Sequence, residues 1–190
     1  MRTVGEIKSA WEIAREKADK LGELSAEERQ KQRQDRCRLI GQSLAEKYVS
    51  QHDSQPLETE LRKHDSEDRD LIGRAALQRL VEGIDLGFGH MLDKIGQGIL
   101  MLAKTETAAK ASEGIKELFV EYGEAEEVER QDIERAGREM LHQLRISGTA
   151  ISQVNIRAKE EWQKKMSQLA RPFEERLNRL KQDLLGNARV

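Results

Sequence analysis

Ile133-Glu134-Arg135-Ala136-Gly137-Arg138-Glu139-Met140-Leu141-His142-Gln143-Leu144-Arg145-Ile146-Ser147-Gly148-Thr149-Ala150-Ile151-Ser152-Gln153-Val154 is the stretch whose reading decides the architecture. On a helical wheel advancing about 100° per residue, Ile133, Ala136, Met140 and Leu144 fall on one face, and Ile151 and Val154 return to it beyond Ser147-Gly148-Thr149. A turn at Gly148 would reset that phase arbitrarily. The expectation is therefore one helix running through Gly148, with a hairpin turning at the glycine as the alternative.

Working outward, the same phase begins at Ala108, Ala111, Ile115, Leu118 and Tyr122. It is interrupted at Glu126 and Glu129, just after Gly123. It then continues through Ala158, Trp162, Met166, Leu169, Phe173, Leu177, Leu180 and Leu184. Pro172 should kink or restart the helix near Arg171. A helix from Ala125 to Arg171 would be about 70 Å long at 1.5 Å per residue. The first hundred residues, half of them polar helix and loop, do not easily cover such a stripe. A second copy of the chain could, so a homo-oligomer, with a dimer favoured, is expected through Trp162, Met166, Leu169 and Phe173. Charge divides the same region. Glu113 to Glu139 holds ten acidic and four basic residues, Met140 to Val190 five acidic and ten basic. Opposite halves favour antiparallel pairing, within a chain or between two.

Toward the N-terminus, Thr3 and Glu6 stand at capping-box spacing, followed by Val4, Ile7, Trp11, Ala14, Ala18 and Leu21 at alternating steps of three and four. Gly22 is a plausible C-cap. A second capping box, Ser25 and Glu28, opens a helix that becomes amphipathic at Cys37, Ile40, Leu44 and Tyr48. Residues 1–50 thus read as a helical hairpin. Residues 51–104 read as a loop ending at Pro56 and a central helical segment, with Leu57 to His64 as a short helix and Asp65 or Ser66 capping the next. Residues 105–190 form the long C-terminal region. The fold class is all-α, and the three regions read as one continuous fold.

The opening Ile7-Lys8-Ser9-Ala10-Trp11-Glu12-Ile13-Ala14-Arg15-Glu16-Lys17-Ala18, with Leu21-Gly22-Glu23-Leu24-Ser25 after it, resembles the start of some short uncharacterised bacterial all-helical proteins. The resemblance implies no activity and carries over no functional residue.

Between Gly83 and Gly98 lie five glycines: Gly83, Gly87, Gly89, Gly96 and Gly98. Leu86-Gly87-Phe88-Gly89-His90-Met91-Leu92 and Ile95-Gly96-Gln97-Gly98-Ile99-Leu100-Met101 look like a duplication. A glycine inside a helix costs about 1 kcal/mol relative to alanine, so the segment is expected to be a close-packed crossing or the sharpest bend in the chain. A dinucleotide fingerprint would need glycine where Leu92 or Met101 stands.

Composition bounds function. Of the residues, 37% are apolar, 36% charged and 4% aromatic, which suits helices burying one narrow stripe. The 33 basic and 35 acidic residues nearly cancel, giving no general electrostatic reason to bind nucleic acid or an anionic membrane. Cys37 is the single cysteine, which rules out an intrachain disulfide and a cysteine-based metal site. The apolar run Ile95 to Ala103 is far short of the roughly twenty residues of a membrane span, and a cytoplasmic location is the default. Glu139-x-x-His142 has di-iron spacing in a single copy, with His142 facing away from the apolar stripe. His52-Asp53-Ser54 and His64-Asp65-Ser66 match a hydrolytic triad in residue type only. Arg29, Arg33, Arg36 and Lys47 cluster on one side of their helix among Glu27, Glu28, Asp35 and Glu46, which reads as a solvated face. No catalytic residue, metal ligand or cofactor is assigned. The expected function is non-enzymatic self-association or scaffolding of an unidentified protein partner. The alternatives are a four-helix-bundle metal or catalytic protein, and a nucleic-acid or membrane-surface binder using the basic face or the glycine segment.

Overall fold

The computed structural model describes residues 9, 11–12, 25–50, 57–143 and 160–186. Among these the ordered elements are helices: α1 (Ala26–Ser50), α2 (Leu57–Leu61), α3 (Ser66–Glu82), a 3-10 segment (Leu86–Met91), α4 (Leu92–Ala103), α5 (Glu106–Gln143) and α6 (Glu160–Gly186). The all-α expectation holds.

Local rules start several of these helices. The Ser25 N–H donates to Glu28 Oε2 at 2.8 Å while the Glu28 N–H donates to Ser25 Oγ at 3.2 Å, a complete capping box opening α1. Ser9 and Glu12 form the same reciprocal pair, at 2.8 and 3.2 Å. Thr3, Glu6 and most of the expected first helix lie outside the described residues, and with them the N-terminal hairpin. Trp11, expected on a buried stripe, is 69% exposed. Asp65 occupies the N-cap position of α3 but makes no side-chain cap bond. Thr105 caps α5, its Oγ1 accepting the Ala108 N–H at 3.2 Å.

The central element is α3. Ile72, Ala76, Leu77, Leu80 and Val81 are buried along it, against α1 on one side and α4 and α6 on others. The buried face of α1 is Cys37, Gly41, Ala45 and Tyr48, while Ile40 and Leu44 flank it half-buried. Small residues four apart let the two backbones approach. A Cβ on Gly41 would lie 2.5 Å from the Ile72 carbonyl oxygen and 2.7 Å from Ala75 Cβ. The same crossing is pinned by charge. Arg33 Nε donates to Asp68 Oδ1 at 2.5 Å, Arg33 Nη1 to Glu67 at 2.8 Å, and Arg36 Nη2 to Asp68 Oδ2 at 3.4 Å. Arg33 foremost, with the Cys37 thiol and Arg36, holds Asp68 below the usual carboxylate range.

The long C-terminal helix expected through Gly148 is not what the fold contains. Residues 144–159 lie outside the described residues, yet the flanking helices pack together in opposite directions. Leu180 touches the position of Gly114, Arg176 pairs with Glu121 at 2.6 Å, and Lys165 pairs with Glu129 at 2.8 Å. As one partner rises in number the other falls, so α5 and α6 run antiparallel. A shared wheel phase fixes which face is apolar, not whether the chain keeps its direction. The charge split is satisfied here inside one chain. Nor does Pro172 restart α6; the helix runs through it with the ring exposed. The missing donor then costs only a bond to the exposed Gln168, whose carbonyl water can serve.

Candidate functional site

Two features stand apart from ordinary core packing. The first is the two-helix arm formed by α5 and α6. Its 38 residues make α5 about 57 Å long. Its fully buried residues (Ala108, Ala111, Ser112, Ile115 and Leu118) all lie in its first half. Beyond Leu118 the helix continues to Gln143 with none of its residues fully buried. The arm is laced by ion pairs. Arg130 binds Glu127 at 2.6 Å and also Glu134, and the Glu127 carboxyl is pulled down to about 2 by Arg130 and Gln131. Val120, Val128 and Met140 stay about 60% exposed along it.

The residues expected to meet a second copy are placed on α6 of this arm, and Phe173 among them meets α5 of the same chain. Trp162 is buried, and Phe173 packs on the core with its ring edge-on to Tyr122 at 5.3 Å. Met166 and Leu169 are half-buried. Burial raises the Tyr122 hydroxyl, with Glu126, Glu174 and Asp85 adding to it. Leu177 and Leu184 carry the stripe into the core. Of this stripe, Trp162, Leu177 and Leu184 are buried in the single chain, and Met166, Leu169 and Phe173 are half-buried.

The second feature is an apolar cleft of about 320 Å³ where the C-terminal ends of α1 and α3 meet the 3-10 segment. Ala45, Val49, Leu80, Met91 and Ile95 line it. Phe88 stands at its edge, 56% exposed, with φ −114° and ψ 35° breaking the run of helical residues around it. The Glu46–Arg79 pair, 3.0 Å apart, lies at its rim. The chemistry offered is burial of an apolar group.

The five glycines divide. Gly96 and Gly98 are buried in α4, whereas Gly83, Gly87 and Gly89 are exposed. At Gly98 an added Cβ would lie 2.8 Å from Tyr48 Cε1 and 2.9 Å from Leu80 Cδ1, so this glycine seats the tyrosine ring. Tyr48 in turn donates to the Lys94 carbonyl at 3.2 Å. Gly83 closes α3, its N–H bonded to the Arg79 carbonyl. Gly87 receives the Asp85 carboxylate on its N–H at 2.8 Å, and Gly89 faces the Phe119 ring. The two look-alike pieces therefore fold differently, one as 3-10 turns forming the bend and one as α-helix. The tightest glycine contact, Gly41, escaped the sequence reading. The spacing Cys37-x3-Gly41-x3-Ala45 was its signal.

The other motifs are scattered. His142 lies exposed on α5, and His64 half-buried between α2 and α3. His52 lies outside the described residues. Among the described residues no group of three or more His, Cys, Asp or Glu side chains is placed to hold a metal ion. No described helix is long and apolar enough to cross a membrane. Arg33 and Arg36 of the basic face pair with Glu67 and Asp68 of α3 while staying solvated, their side chains 40% and 66% exposed. Comparison with protein-family models, with curated proteins and with solved structures finds no match to this chain.

Proposed function

We propose that this chain is a non-enzymatic helical protein that self-associates, with the α5–α6 arm as the element that meets the second copy. The carrying observation is the continuation of α5 from Phe119 to Gln143 with no fully buried residue, while Val120, Val128 and Met140 remain open. A helix extended this far beyond the core leaves much of its surface open, whereas most helical stability comes from burying a face. The surface it offers combines exposed aliphatic side chains with ion-paired charged ones along one helix, the arrangement that suits helix-to-helix association. Dimer is the simplest closed form.

Sedimentation velocity over a concentration series tests this. A dimer fraction that rises with concentration, and that Val128→Asp or Met140→Asp abolishes without lowering the melting temperature, is the expected result. A monomer throughout the series would overturn the proposal.

A further inference from the structure

Away from the arm, a cleft of about 220 Å³ opens between α2, the start of α3 and the end of α4. Three cationic side chains line it, Arg62, Arg69 and Lys104, together with two carboxylates, Glu58 and Asp70. Two observations single it out. Lys104 has φ 47° and ψ 27°, the positive-φ non-glycine residue of the described backbone. Helices commonly end in this left-handed conformation, but on glycine or asparagine; a lysine pays a steric cost there. That cost places a lysine side chain over α2, where its Nζ donates to Glu58 at 3.0 Å. In addition, Arg69 Nε is buried with no hydrogen-bond partner among the described residues, although its Nη2 donates to the His64 carbonyl at 3.0 Å. An orphaned guanidinium nitrogen is expensive and rare in a folded chain.

We propose that this cleft is a binding site for a small oxyanion, of the phosphate or carboxylate kind, held by Arg62, Arg69 and Lys104. The fork of an arginine matches such anions bidentately, and a lysine adds a point charge. Glu58 stands in the ligand's place when none is bound. Its carboxylate takes Lys104 at 3.0 Å and Arg62 at 3.5 Å, and both hold it below its ordinary range. An incoming anion releases Glu58 and takes those two cations. The site stands independently of the arm and of any self-association through it.

Thermal melts of the full chain in rising inorganic phosphate, at ionic strength held constant with sodium chloride, test the proposal. Acetate in a parallel series distinguishes a carboxylate from a phosphoryl ligand. A ligand that binds only the folded state raises the melting temperature saturably. The wild-type chain is expected to respond in this way to phosphate or to acetate. Lys104→Gly should melt higher in the absence of anion, because glycine adopts φ 47° freely, and should lose most of the anion response. Glu58→Gln removes the internal competitor and should tighten anion binding several-fold. A purely structural Lys104–Glu58 tie would give no such gain. An absence of saturable response to both anions in the wild type and in Glu58→Gln, or an undiminished response in Lys104→Gly, overturns the site.

Discussion

Gly41 lies so close to Ile72 that a Cβ built on it would stand 2.5 Å from the Ile72 carbonyl oxygen, with the Ala76 amide nitrogen 2.9 Å away. The obstacle is backbone, which cannot swing aside as a side chain would. Gly41→Ala should therefore force α1 and α3 apart and cost about 3 kcal/mol. Gly96→Ala meets only Ser112 Oγ at 3.4 Å. It should be neutral, or stabilising by up to about 1 kcal/mol through helix propensity. Urea unfolding of the two variants checks the contrast, and equal effects would refute it.

Cys37 is fully buried beside this crossing, and its thiol is pushed above its ordinary value, first by burial and then by the neighbouring Asp68 carboxylate. The thiolate is the reactive form. Native protein at neutral pH should accordingly resist a disulfide-exchange reagent, and labelling should appear only with global unfolding in guanidinium. Rapid labelling of the native chain would contradict the burial.

Asp68 makes the crossing sensitive to acid. Arg33 foremost, with Cys37 and Arg36, holds its carboxyl below the ordinary range against the opposing effect of burial. For a depressed carboxyl the stabilisation is complete above the unfolded-state value of about 3.9 and is lost as pH falls through the lower folded-state value. Asp68→Asn should lower stability at neutral pH. Its deficit relative to wild type should shrink steadily below about pH 4. Unfolding curves across that range decide the matter, a pH-independent deficit counting against the ion network.

Phe173 sits edge-on to Tyr122 with Arg176 over its ring at 6.0 Å, all within one chain. Half-buried, it should lose about 2 kcal/mol on truncation to alanine, roughly half the cost at a fully buried site. Because its partners are internal, Phe173→Ala should lower the melting temperature while leaving the sedimentation coefficient and its concentration dependence unchanged. A shift in association state instead would place Phe173 at an interface between copies.

What the sequence revealed and what it hid follow from the range of the interactions. The Ser25–Glu28 box was readable because both of its hydrogen bonds close within three residues. The apolar stripe of α5 and α6 was readable because it is periodic, and the split of charge announced antiparallel pairing. That the pairing falls within one chain was hidden. Any loop that returns the chain in the right phase leaves the same pattern as a straight helix. The partners of the basic face of α1 were hidden for a related reason: Arg33 and Arg36 find their acids in Glu67 and Asp68, more than thirty residues away. Gly98 stood out in a conspicuous cluster, whereas Gly41 was alone, its role decided by Ala75 and Ala76 on another helix. The anion cleft assembles residues 58, 62, 69 and 104, which no local pattern connects.

Leu177 and Leu184 of α6 enter the same core as Ile72 and Leu77 of α3, roughly a hundred residues earlier. For a chain emerging from the ribosome in order, α3 and α5 must wait with one apolar side unsealed until α6 has been made. Closing a loop of that size costs entropy before it returns any contact, which slows the final step. During that interval the nascent protein shows a sticky flank to its surroundings.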